Sequence, residues 1–351
     1  MSLRSGSRPA RATRHSLTTD MSTDVGLELS ALEPYRRQLT AYCYRMLGSA
    51  EDAEDAVQDT FLRAWRALSR FEDRAGLRPW LYKIATNVCL DMLRGRNRRA
   101  MPMDVTPAAK GRSWECSHEE ALGARRPEAT WVQPIPDHLI SSADEEPSEM
   151  AVSRESIRLA FIVALQHLLP RQRSVLILRD VLSFRAKEVA ELLETSEDAV
   201  NSTLRRARSS LGGIRPNAQP TQPTEADQEL LRRYLEAFER YDVDSLVALL
   251  HEEAILSMPP FELWLRGVSD IRQFLAAMGA EGGRDRVFEV AANGCPGLAV
   301  YRPVGPTGVL KPFGIHVLEI ADGRISAIHA FLEPALFPLF GLPSTTERIS
   351  E

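Results

Sequence analysis

The stretch LPRQRSVLILRDVLSFRAKEVAELLETSEDAVNSTLRRARSSL, residues 169–211, reads as a helix-turn-helix. Val189, Ala190, Leu192 and Leu193 recur on one face of a first helix, with Ser183 placed to cap it. Glu194, Thr195 and Ser196 form the turn. Thr195 or Ser196 caps the second helix, and Glu197 and Asp198 sit in its first turn, where carboxylates favour the helix dipole. Ala199, Val200, Leu204, Ala207 and Leu211 then face inward, leaving Asn201, Ser202, Arg205, Arg206 and Arg208 outward. A helix laid in a major groove presents such amides, hydroxyls and guanidiniums to base edges and phosphates. Arg208 and Arg173 read as phosphate contacts, which position a protein without specifying sequence. The acidic pair Glu197-Asp198 repels phosphate, so it points at base edges or stands off the DNA.

A second helical block precedes this one. In DAEDAVQDTFLRAWRAL (52–68), Ala53, Ala56, Val57, Thr60, Phe61, Ala64 and Trp65 make one apolar stripe, and Glu54, Asp55, Gln58, Asp59 and Arg63 make the opposite face. Ser49 is placed to cap that helix. In FEDRAGLRPWLYKIATNVCLDMLRGRNRR (71–99), residues 71–79 read as a loop holding Gly76, and a helix runs from about Trp80 to Arg94. Arg94, Arg96, Arg98 and Arg99 follow its end, and a buried core has no use for them.

Composition bounds what the 351-residue chain does. Two or three domains are expected at this length. The net charge is −5, but the two arginine clusters are local, and DNA responds to local neutralisation of phosphates. No uncharged apolar run reaches the ~18 residues of a membrane span, and the arginine-bearing N-terminus lacks the apolar region of a secretory signal. Cys43, Cys89, Cys116 and Cys295 are scattered without a C-x-x-C pair. Neither a metal site nor a disulfide framework is expected, no cofactor is implied, and a reducing cytoplasm fits best.

The chain reads as multidomain: two all-α blocks followed by an α+β cone. Residues 1–27 read as a disordered extension, with Met21 a second candidate start. The first block spans 28–100 and the second 149–213. Proline and acidic residues mark 101–148 as a linker, within which TWVQPIPDHLI (130–140) is apolar enough to dock on something. A proline-rich linker, 214–224, leads to the third part at 225–342, with a tail at 343–351. This part opens with one helix over DQELLRRYLEAFERYDVDSLVALL, then AILSM as a strand, VSDIRQFLAAM as a helix, and RVFEVAA, LAVYRPV, PFGIHVLEI and RISAIHAFL as strands of an antiparallel sheet. Asp322-Gly323 is placed for a hairpin turn.

The blocks at 52–99 and 169–211, in that order, resemble regions 2 and 4 of a bacterial extracytoplasmic-function sigma factor of the sigma-70 family. The resemblance implies a promoter-specificity subunit whose partners are core RNA polymerase and promoter DNA. Asp55, Gln58, Asp59, Phe61 and Arg63 would then lie on or beside the polymerase contact. Residues 71–79 would capture a −10 base, with Trp80, Asn87, Arg94, Arg96, Arg98 and Arg99 on the same element. Asn201, Ser202, Arg205, Arg206 and Arg208 would meet the −35 element. ELWLRGVSDIRQFL (262–275), ANGCPGLAVYRP (292–303) and EIADGRISAIHAF (319–331) resemble the SnoaL-like family, which implies a modulating appendage and no catalytic site. Asp242, Trp264, His316 and His329 are its nearest pocket candidates. An anti-sigma factor or a small-molecule ligand of this part would be further partners. Two other readings stay open: a helix-turn-helix regulator acting without polymerase, and a SnoaL-like enzyme fused to a DNA-binding sensor.

Overall fold

The computed structural model describes residues 31–68, 76–112, 114, 118–141, 155–212, 224–278, 285–305 and 309–345. The expected N-terminal extension, most of the loop at 71–79, and the linker at 214–223 lie outside the described residues.

The first block is three helices: α1 (Arg36–Leu47), α2 (Ala50–Leu68) and α3 (Leu77–Leu93). Gly48, at φ 68°, ends α1 in the left-handed conformation that glycine adopts without cost. Ser49 then caps α2 by accepting from the Asp52 N–H at 3.2 Å. The apolar stripe of α2, from Ala53 to Ala64, is buried against α1, while Leu81, Ala85, Val88 and Cys89 bury one face of α3.

The second block holds α4 (Leu159–Gln166), α5 (Pro170–Leu176), α6 (Ala186–Leu192) and α7 (Glu197–Ser210). A π-helical turn, Ile177–Val181, extends α5. Ser183 does not cap α6: it sits in the preceding turn at φ 58°. Arg185 occupies the cap, and the Glu188 carboxylate accepts its N–H at 2.6 Å. Ser196 caps α7, its Oγ accepting from Ala199 N–H at 3.2 Å.

The third part opens with two helices where the sequence suggested one. Tyr241 breaks the run at φ 53°, and Asp242 caps a new helix by accepting from Ser245 N–H at 3.0 Å. The helices are α8 (Glu225–Glu239) and α9 (Val243–Ala248), and α10 (Val268–Met278) follows later. The strands are β1 (Leu250–Ser257), β2 (Trp264–Arg266), β3 (Arg286–Ala292), β4 (Cys295–Val304), β5 (Val309–Ala321) and β6 (Arg324–Phe331). They form one sheet in the order β2-β1-β6-β5-β4-β3. It is mixed, because β1 pairs parallel to β6 while every other pair is antiparallel. Asp322 and Gly323, at φ 51° and 69°, turn β5 into β6. One sheet face carries Leu298, Val300 and Leu318 against α8, α9 and α10. The other carries Ala299, Tyr301, Ile315 and Val317 into a core shared with the first two blocks.

Residues 100–140 do more than link. Trp264 Nε1 donates to Thr106 O at 2.8 Å, Trp131 Nε1 donates to Pro260 O at 3.0 Å, and Trp114 stacks edge-on against Phe274. Val132 and Ile135 are fully buried. Short helical turns at Pro102–Val105, His118–Leu122, Glu128–Thr130 and Asp137–Leu139, with these apolar anchors, let the described residues of this segment pack against the folded parts.

Candidate nucleic-acid and partner-protein surfaces

Helix α2 presents Asp55 and Gln58 to solvent, with Asp59 and Arg63 beside them. Arg63 pairs with Asp59 at 2.8 Å and approaches Asp91 of α3 at 3.7 Å. Phe61 does not belong to this face. It is 4% exposed, on the inward stripe, with the Arg36 guanidinium 4.8 Å from its ring centroid. The large apolar residue on the outer face is Leu62, 51% exposed. Its signal in the sequence is its position, seven residues after Asp55 and four after Gln58 on the polar side.

Helix α3 leaves Asn87 exposed, while Trp80 is half-buried against the core. The arginine tail after α3 folds back on the N-terminal turn of α2. Asp52 accepts from Arg96 at 3.0 Å and from Arg99 at 2.8 Å. Arg99 also donates to Trp131 O at 2.8 Å. Arg98 bonds to His167, which lies 3.2 Å from Asp104. Arg94 is exposed, with Asp91 at 3.3 Å.

On α7, Asn201, Arg205 and Arg206 are exposed and Ser202 is half-buried. Neither Arg205 nor Arg206 pairs with a carboxylate among the described residues. Arg208 is held by both oxygens of Asp180, at 2.9 and 2.6 Å, which raises its pKa. Arg173 is not a phosphate contact. It is 2% exposed and donates to Met46 O of α1 and to Gln166 Oε1 at 2.7 Å. Burial pushes its guanidinium down to about 10. A guanidinium offers donors in a fixed fork, and here that fork fastens the two helical blocks together.

The blocks also meet along α3 and α6. Tyr82 packs edge-on against Phe184 at 5.3 Å, the Arg78 guanidinium lies 4.9 Å from the Phe184 ring centroid, and Lys83 pairs with Glu194 at 2.8 Å. Sequence reasoning missed this contact, because Phe184 resembles an ordinary core residue of its own block.

In the third part the pocket candidates do not converge. Asp242 caps α9 and Trp264 is bonded to Thr106. His329 Nδ1 lies 2.8 Å from Ser257 Oγ, and its Nε2 is 3.7 Å from Glu319 Oε1. Burial raises the Glu319 carboxyl, but His329, Arg158 and the Ala160 N–H outweigh burial and hold it below the usual range. His316 is buried, with its ring edge against Phe238 and no hydrogen-bond partner on either nitrogen among the described residues. Burial, then Arg302, pushes its pKa down to about 3, so the ring is neutral. Among the described residues no group of three or more His, Cys, Asp or Glu is placed to hold a metal ion.

Comparison with known proteins follows the same three parts. The model for sigma-70 region 2 matches residues 31–99, that for sigma-70 region 4 matches 158–211, and that for a SnoaL-like domain matches 231–328. The chain is 48% identical over 322 residues to the ECF RNA polymerase sigma factor SigG of Mycobacterium tuberculosis, covering 89% of this chain and 83% of that one. It is 27% identical over 333 residues to the ECF RNA polymerase sigma factor SigJ of the same organism, covering 89% and 93%. The crystal structure of SigJ aligns with a TM-score of 0.58 and 24% identity over 90% of this chain and 100% of that one, a likeness of fold.

Proposed function

Given that the chain belongs to the extracytoplasmic-function RNA polymerase sigma factors, we propose that it binds core RNA polymerase through the outer face of α2 and reads promoter DNA through α3 and α7. It is an alternative sigma factor that directs promoter recognition and initiation, and its SnoaL-like part modulates that activity. The observation that carries the site assignment is α7: a capped helix whose Asn201, Arg205 and Arg206 stand free of the fold that supports them. Asparagine and arginine match adenine and guanine edges with paired hydrogen bonds, so these three read the −35 element. Asn87 serves the −10 element, with Arg94 as a phosphate contact. Leu62 joins Asp55, Gln58, Asp59 and Arg63 on the polymerase face, an apolar centre ringed by charge.

We read the C-terminal part as regulatory and not enzymatic. Asp242 caps α9, Trp264 bonds to Thr106, and His329 lies between Ser257 and Glu319, contacts that we read as holding the fold. Work on DNA and polymerase supports a cytoplasmic location.

Binding of core polymerase tests this reading. The full-length chain should co-elute with core polymerase, and Leu62→Asp should weaken that association at least tenfold, the scale of losing one buried apolar anchor. Tight, specific DNA binding by the chain alone, unaffected by added core polymerase, would support a conventional regulator instead.

A further inference from the structure

Strands β3 and β4 are joined by Asn293 and Gly294, at φ 57° and 68°. Asn-Gly suits such a two-residue turn, and that would account for the asparagine if its side chain pointed to solvent. The side chain is instead fully buried, with every polar atom engaged outside the C-terminal part. Its Oδ1 accepts from Ile135 N–H at 3.0 Å. Its Nδ2 donates to Tyr44 Oη at 2.8 Å and to Ile157 O at 2.7 Å. Its backbone N–H donates to Ile135 O at 3.0 Å, and Gly294 N–H donates to Asp137 Oδ1 at 2.8 Å. Tyr44 passes the network on, donating to Gln133 O at 2.6 Å.

Tyr44 lies in α1 of the first block, Ile135 and Asp137 in the segment between the blocks, and Ile157 just before α4 of the second block. One side chain therefore pins all three. We propose that Asn293 is an intramolecular latch that holds the closed arrangement, in which α3 lies against α6, and that productive loading on polymerase and promoter withdraws it. The latch is read from geometry alone. Its consequence for initiation rests on the sigma reading, which needs region 2 and region 4 on two separate promoter elements.

The physical case is one of satisfaction. A buried polar network with every member paired is stable, and removing one member strands the others in a low-dielectric interior. Withdrawal of the whole turn lets water replace every bond at once. The arrangement thus has two discrete states, and a partner that binds only the open one shifts the balance.

The exposed pair Lys83–Glu194, 2.8 Å apart, reports closure in the full-length protein, because a carbodiimide joins an amine to a carboxylate with no spacer. Asn293→Asp keeps the size and suits the turn, but replaces both amide donors with a carboxylate facing Ile157 O. It should lower the yield of that cross-link about tenfold, the scale of one lost buried hydrogen-bond set, and raise run-off transcription with core polymerase. Tyr44→Phe removes one acceptor and leaves the turn intact, and it should act in the same direction, a few-fold. It also decides the matter if Asn293→Asp does not fold by circular dichroism. A folded Asn293→Asp, or Tyr44→Phe in its place, that cross-links at wild-type yield overturns the latch. A fall in cross-linking with no rise in transcription overturns its inhibitory role. Initiation from neither the wild-type chain nor Asn293→Asp would sink the sigma reading, while the cross-link would still judge the latch.

Discussion

The two arginine clusters, Arg94–Arg99 after α3 and Arg205–Arg208 in α7, look alike in the sequence, and the fold uses them differently. The first is mostly tied to the fold: Asp52 takes Arg96 and Arg99, His167 takes Arg98, and backbone carbonyls of Glu128 and Trp131 also accept from Arg99, which alone is drawn inward, while Arg94 stays exposed. The second keeps Arg205 and Arg206 exposed, Arg206 with no more than a 3.4 Å bond to Thr203 of its own helix, and pairs Arg208 with Asp180. A cluster of like charge is thus not a nucleic-acid surface in itself. What decides is whether the fold brings acceptors beneath it. Residues 100–140 carry backbone acceptors past the first cluster, and among the described residues no carboxylate pairs with Arg205 or Arg206.

That contrast predicts effects of different size and kind. Replacing Arg205 and Arg206 together with Ala should weaken promoter binding more than a hundredfold, since each base contact contributes about 1–3 kcal/mol. Footprinting of the holoenzyme checks this, and the melting temperature should not move. Equal loss from Arg96→Ala and Arg98→Ala would break the comparison.

Arg99→Ala should do the reverse. Its side chain is 11% exposed and bonded to Asp52 and Trp131, so its loss should cost about 2 kcal/mol of stability. Thermal unfolding would show this, with the salt dependence of DNA binding unchanged.

A related contrast separates His329, which has Ser257 as a partner, from His316, which has none among the described residues. His316 takes up a proton more readily in the unfolded chain than in the fold, where its pKa is about 3. Its stabilising contribution is therefore complete above the ordinary histidine range and is lost as pH falls from about 6.5 towards 3. Going from pH 7 to pH 5 should destabilise the C-terminal part by about 2 kcal/mol, and His316→Leu should flatten that dependence in calorimetry.

The smallest effect belongs to Arg208. It is paired and half-exposed, so Arg208→Ala should cost at most about 1 kcal/mol of stability and lower the salt slope of DNA binding by less than one. A loss as large as that of Arg205 would mean that Asp180 releases it on DNA.

Periodicity and turn chemistry were legible from the residues. The stripe from Ala53 to Ala64, a cap at Thr195 or Ser196, of which the fold uses Ser196, and the turn at Asp322-Gly323 all follow from spacing and residue type. The stripe and the family resemblance disagreed on Phe61, one turning it inward and the other placing it at the polymerase contact, and its burial beside the exposed Leu62 follows the stripe. Tyr241 offered no warning of its left-handed conformation, because residues like it rarely adopt one. The roles of Asn293, Arg173 and Phe184 depend on partners far away in the chain, which no local pattern reveals.

The most direct test of the central claim is run-off transcription from a genomic promoter library with purified core RNA polymerase, with and without the full-length chain. The account predicts new, discrete start sites that vanish when Arg205 and Arg206 are both replaced by Ala and that persist with Arg208→Ala. Specific DNA binding by the free chain with no initiation, even from the unlatched Asn293→Asp protein, would contradict it.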